Sequence, residues 1–175
     1  TALDMDELTG GRFILGLGTG SPLGFAGALM HLFNHAIFKS LLFVNAAAVE
    51  RQTGTRDMDR MGGLGSRMPV TGGTAIVAML ATAGVPPLAG FWSKLAIVAA
   101  LWQGGHTSYA VLAVATSLLT LAYFLSLQRR VFFGTTPAGL EEVEEAGWEL
   151  AASSLVLAGI LVGVGLAVPW ILGTC

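Results

Sequence analysis

From Tyr109 to Leu127 the chain carries no charged side chain, and a run of this length limits its fold strongly. As a helix, rising about 1.5 Å per residue, this stretch is roughly 28 Å long, close to the ~30 Å hydrocarbon thickness of a bilayer. The charges elsewhere are segregated as sharply. They fall between Asp4 and Arg12, Glu50 and Arg67, at Arg129 and Arg130, and between Glu141 and Glu149, leaving only Lys39 and Lys94 outside these groups. Hydrophobic residues make up 54% of the chain, charged ones 11%, and the mean hydropathy is +0.72, the balance of a membrane protein.

The same balance excludes several functions. The net charge is −2 and the basic residues are scattered among acids, so no nucleic-acid partner is expected. A lone Cys175 rules out an internal disulfide and a cysteine-rich metal site. The opening "TALDMDELTGG" is acidic, unlike a signal or transit peptide. It also lacks an initiator methionine, and the chain is expected to be part of something longer.

The pattern predicts an all-α polytopic transmembrane helix bundle, a single membrane domain of about five segments. Residues 1–20 read as the remnant of a preceding helix and loop, since "RFILGLGTG" is too short to span. Membrane helices are expected over 22–49, 69–84, 91–103, 107–128 and 148–172. Ser21 and Pro22 supply a helix start. "ERQTGTRDMDRMGGLGSRMP", with four arginines and three acids, reads as a solvated loop. The second apolar segment is interrupted at "GVPPLAG", where Gly84, Pro86, Pro87 and Gly90 cannot continue one helix. Non-helical backbone at membrane depth is tolerated only inside protein or beside water, which makes this break a candidate for function. Trp148 and Trp170 bracket the last span as interfacial anchors, and within it Gly159 and Gly163 form a GxxxG that would let another helix approach. Arg129 and Arg130 are expected opposite the 50–67 loop if every intervening segment crosses, and counting Lys and Arg then favours the loop as cytoplasmic.

Three ionisable residues stand in the apolar segment "MHLFNHAIFKSLLFVN". His31, His35 and Lys39 follow one another at four-residue steps, so they are expected along one side of the helix over about 12 Å. Asn34, Ser40 and Asn45 add further polar groups. A charged side chain at this depth is costly, about 2.5 to 3.5 kcal/mol on insertion scales, and usually faces protein interior or water. Taken singly, His31 also reads as an ordinary buried histidine on a backbone carbonyl. Zinc ligation by His31 and His35 has the right spacing but lacks a third ligand, and the lysine one turn away opposes it. Both lysines of the chain, Lys39 and Lys94, lie in apolar segments, while the seven other basic residues are arginines. Arginine stays protonated, whereas a buried lysine can be tuned to gain and lose a proton, and histidine is the other natural relay group. Lys94 follows the Pro86–Pro87 break, where freed carbonyls can hold water or an ion. It also reads as an anchor of a short helix at the interface.

"HLFNHAIFKSLLFVNAAAVE", "GTRDMDRMGGLGSRMP" and "ATAGVPPLAGFWSK", in that order, resemble the antiporter-like proton-translocating membrane subunits of respiratory complex I, Mrp antiporters and membrane-bound hydrogenases. The resemblance implies the C-terminal portion of such a subunit, with its first repeat outside this sequence. It implies a proton relay at His31, His35, Lys39 and Lys94, with the 50–67 loop on the outer face. It further implies a non-redox subunit of an NADH:quinone oxidoreductase-like or hydrogenase-like translocase, multi-pass in the inner membrane of a prokaryote. The expected partners are the bilayer, other integral membrane subunits, and protons or Na+. No phosphate loop, cysteine cluster or nucleophile triad is present, so no catalytic residue, cofactor or metal is expected. Two alternatives remain open: sodium/proton exchange of the Mrp type, and a truncated fragment that packs in a complex without conducting.

Overall fold

The computed structural model describes residues 17–173, with side chains described as far as residue 170; residues 1–16 of the expected remnant lie outside the described residues. Five long helices form the bundle: α1 (Pro22–Thr53), α2 (Pro69–Ala83), α3 (Ala89–Gln103), α4 (Thr107–Val131) and α5 (Trp148–Gly173). Of these, α1, α4 and α5 are each long and apolar enough to cross a membrane. Helices α2 and α3, 15 residues each, are shorter and meet at the Pro86–Pro87 break. The chain is therefore an all-α membrane helix bundle.

Helix α1 starts where Ser21 Oγ accepts the Gly24 N–H at 3.0 Å and Pro22 occupies the first turn, and it stops at Gly54, which adopts φ +66°. It runs one turn past the expected end at Val49. Glu50, Arg51 and Gln52 are all good helix formers, and Arg51 suits the negative end of the helix dipole. Its buried positions include Ala28, His31, Asn34, Phe38, Leu41, Asn45 and Ala48. Those steps of three and four hold one stripe against α2, α3 and α5.

The loop after α1 departs from the solvated segment expected. Leu64 and Met68 are fully buried and pack with Val131 and Phe132. Gly63 and Gly65 donate backbone hydrogen bonds to the Phe133 and Phe132 carbonyls at 3.0 and 2.9 Å. Side chains at these glycines would strike the 132–136 backbone, so the glycines permit close approach rather than solvation.

That contact also corrects the expected placement of Arg129 and Arg130. Arg130 Nη1 lies 3.3 Å from Asp59 Oδ1, so both arginine groups sit at the same end of the bundle. After α2, α3 and α4 the chain has therefore returned to the end of the bundle where the 50–67 loop lies. Helices α3 and α4 also differ in bounds from expectation: α3 begins at Ala89 rather than 91, directly after the cis Pro86–Pro87 peptide, and α4 continues to Val131.

Helix α5 packs on the break itself. A side chain at Gly165 would collide with the Pro87 carbonyl, and Trp92 Nε1 donates to the Gly165 carbonyl at 2.8 Å. By contrast Gly159 and Gly163 lie on the open face of α5, and among the described residues the close approach on this helix is made at Gly165.

Candidate functional site

The break is assembled from backbone that the prolines and glycines release. Gly84 ends α2 at φ +83°, a conformation open to glycine at little cost. Gly90 presses on the Ala81 carbonyl so closely that no Cβ would fit. The last carbonyls of α2 are left without helical partners, and Lys94 turns back to meet them. Its Nζ donates to Thr82 O at 2.6 Å and to Ala83 O at 2.9 Å, and the residue is 8% exposed. An ammonium here complements the negative end of the α2 dipole. The side chain lies over Gly84, where any Cβ would fall 2.7 Å from Lys94 Cδ. The carbonyls expected to hold water or an ion are thus met by the lysine itself.

Helix α1 docks on the same break through polar groups. Asn34 Nδ2 donates to Ala89 O at 2.9 Å, and His31 Nδ1 shares a 3.0 Å hydrogen bond with Ser93 Oγ, both within the buried interior. Ser93 Oγ also lies 3.2 Å from Gly90 O. When the hydroxyl donates to that carbonyl, it accepts from the imidazole. His31 is therefore joined to the residue that immediately precedes Lys94.

His31, His35 and Lys39 do not share one environment. Each four-residue step overshoots a full turn by about 40°, so two steps rotate the line by about 80°. His31 is completely buried, His35 is half-buried with its ring 6.0 Å from that of His31 and 4.8 Å from Phe38, and Lys39 is exposed. The structure brings His31, His35 and, through Ser93, Lys94 into one neighbourhood. Lys39 opens on another flank, into a cleft of about 570 Å³ between α1 and α4 that is also lined by Asn45, Tyr123 and Gln128.

Sequence reasoning missed three participants. Ser93 looked like one more small residue in an apolar helix, although its place beside Lys94 was a usable signal. Gln128, the last polar residue before the arginine pair, is buried rather than interfacial. Glu145 lies in the acidic connector between α4 and α5, and its carboxylate accepts the N–H of Val70 at 2.7 Å, the N–H of Thr71 and the Thr71 hydroxyl. Nothing local marks it, because its partners are more than 70 residues away in the chain. Glu145 at the N-terminus of α2 and Lys94 at its C-terminus put opposite charges on the two ends of one short helix, each sign opposing the dipole.

Residues 10–120 match the family described as NADH:quinone oxidoreductase/Mrp antiporter, transmembrane. The chain belongs to this family. It is 40% identical over 85% of its length to a probable K(+)/H(+) antiporter protein of Rhizobium meliloti, covering 16% of that protein. It is 34% identical over 90% of its length to NADH-quinone oxidoreductase subunit N of Desulforudis audaxviator, covering 33%. Among solved structures, an archaeal respiratory membrane complex, the membrane-bound sulfane sulfur reductase, contains a chain with TM-score 0.84 and 37% identity, matched over 89% of this chain and 26% of its own. The antiporter-like family expected from the three motifs is the family found. This chain spans a third or less of these two curated relatives.

Proposed function

We propose that this chain is the segment of a proton-translocating membrane subunit that carries protons along buried His and Lys residues. The observation that carries the reading is the junction at the break, where His31 is hydrogen-bonded to Ser93 and the adjacent Lys94 holds the free carbonyls of α2. Protonated Lys94 binds two carbonyls at a helix C-terminus; loss of its proton removes the charge that favours that contact. A proton at Lys94 is thereby linked to how firmly the two half-helices are joined. His31 and His35 supply groups that can pass a proton on, and Lys39 receives or delivers it through water. No substrate bond is made or broken.

Membership of the family supports placing the chain in a multi-subunit complex of the complex I, hydrogenase or Mrp kind, in a prokaryotic cell membrane beside other integral subunits. The relative named as a probable K(+)/H(+) antiporter favours cation exchange as a second form of the same activity. Dependence of proton flux on Na+ or K+ in membrane vesicles separates the two.

The decisive experiment is Lys39→Ala in the full-length subunit within its assembled complex. Proton translocation in vesicles should fall to background while the complex still assembles. Undiminished translocation overturns the proposal.

A further inference from the structure

Consecutive residues at the start of α3 reach three different helices. Each step along a helix turns by about 100°, so neighbours in sequence face different directions. Trp92 reaches α5 through Gly165 O at 2.8 Å, Ser93 reaches α1 through His31 at 3.0 Å, and Lys94 reaches the end of α2 through Thr82 O and Ala83 O. The first bond has its cause in the sequence of α5. In a regular helix the Gly165 carbonyl accepts the N–H of residue 169, four positions on. Residue 169 is proline, which lies inside α5 and has no N–H to give. Its ring also crowds the carbonyl four residues back, so that oxygen is better met from outside the helix. An indole N–H is a donor only and, in apolar surroundings, needs such an acceptor. Gly165 suits on a second count, because with no Cβ it admits the 87–89 backbone against it. The donor that Pro169 removes from α5 is thus supplied by α3.

We propose that Trp92 is a positioning residue, which fixes the first turn of α3 on α5 through the carbonyl that Pro169 leaves without a helical donor. The ties at this turn differ in kind. Lys94 holds α2 with a charge that its proton supplies, whereas the indole keeps its N–H throughout, so the bond to Gly165 is indifferent to that proton. When Lys94 loses its proton, α3 stays on α5 and the end of α2 gains freedom. Trp92 thereby decides which half of the broken segment moves, and keeps the lysine in place to take its next proton. This role rests on the proposed transport function, but the bond that creates it can be read without transport.

The test uses the full-length subunit in its complex. Trp92→Phe keeps an aromatic ring and removes the N–H, and it should lower the Tm of the complex. Pro169→Ala returns an N–H to α5, so it should raise the Tm of Trp92→Phe by clearly more than that of the wild type, a coupling that lost ring volume does not produce. An equal rise in both backgrounds means that the indole N–H is not what meets Gly165, and overturns the proposal. If Trp92→Phe does not assemble, the double variant should; failure of both overturns it as well. Proton flux in vesicles then separates positioning from packing. It should fall about fivefold in Trp92→Phe, roughly the loss of one hydrogen bond, and should stay low in the double variant, where residue 169 satisfies the carbonyl without tying α3 to α5. Flux that recovers together with the Tm means that Trp92 only satisfies a carbonyl, and overturns the positioning role. Unequal Tm gains together with undiminished flux in Lys39→Ala would mean that the indole bond stands but the transport reading has failed, and the role of Trp92 with it.

Discussion

Lys94 and Lys39 are the same side chain in two opposite settings. Lys94 is buried with its ammonium on two carbonyls of a broken helix, whereas Lys39 is exposed and faces an open cleft. The difference follows from position relative to the buried stripe of α1 and the break. His31 and Asn34 lie on the stripe; Lys39, one residue beyond Phe38, has rotated off it. One lysine is therefore built into the fold and the other lies at the surface of the described residues, so the two should separate stability from transport.

Lys94→Ala should show the largest effect. It removes two charge-assisted hydrogen bonds and leaves the Thr82 and Ala83 carbonyls bare, which should cost about 3 kcal/mol by thermal unfolding of the complex. Lys39→Ala should cost under about 1 kcal/mol in the same measurement, as expected of an exposed residue. Both should stop proton flux, and a Lys39→Ala variant as unstable as Lys94→Ala breaks the comparison.

Gly90→Ala should come next, at about 2 kcal/mol, because its methyl must displace the Ala81 carbonyl. Gly163→Ala, on the open face of α5, should lose nothing by the same unfolding assay and gain slightly in helix propensity.

Glu145→Ala should cost about 1 kcal/mol by removing the carboxylate that caps α2. Faster hydrogen exchange at the Val70 and Thr71 amides, with Lys94 undisturbed, would show that the two ends of α2 are held independently. Slower or unchanged exchange would mean that Glu145 does not hold that end of the helix.

The smallest effect concerns the connector. Glu141 accepts its own backbone N–H and that of Gly139, the latter at 2.7 Å, and these contacts hold its carboxyl below the ordinary value. A depressed value means that the contribution is complete above the unfolded carboxyl range, about 4.3, and is lost as pH falls through the lower folded value. Protection of the Gly139 amide should therefore persist at neutral pH and fade on acidification. Protection that stays constant down to acidic pH breaks the link to Glu141.

Much of the fold was legible because membrane helices are written in local composition. Charge-free stretches, the Ser21–Pro22 start and the Gly84-to-Gly90 interruption each act within a few residues of themselves. The failures were nonlocal. The loop glycines near Gly63 read as part of a solvated loop because nothing local shows Phe132 and Phe133 waiting for them. The close contact of α5 with the break at Gly165 is likewise shown only by the packed bundle.

For the candidate site, the residue types and their spacing identified His31, His35, Lys39 and Lys94 as ionisable groups in an apolar setting. Local hydropathy by itself determined that these groups lie in apolar helices, since hydropathy is a property of the chain. Which carbonyls Lys94 meets, that His31 finds Ser93, that Glu145 caps α2 and that Lys39 faces a cleft were decided only by tertiary structure. Each depends on the rotation of one helix against another, and on partners that packing brings together from distant parts of the chain.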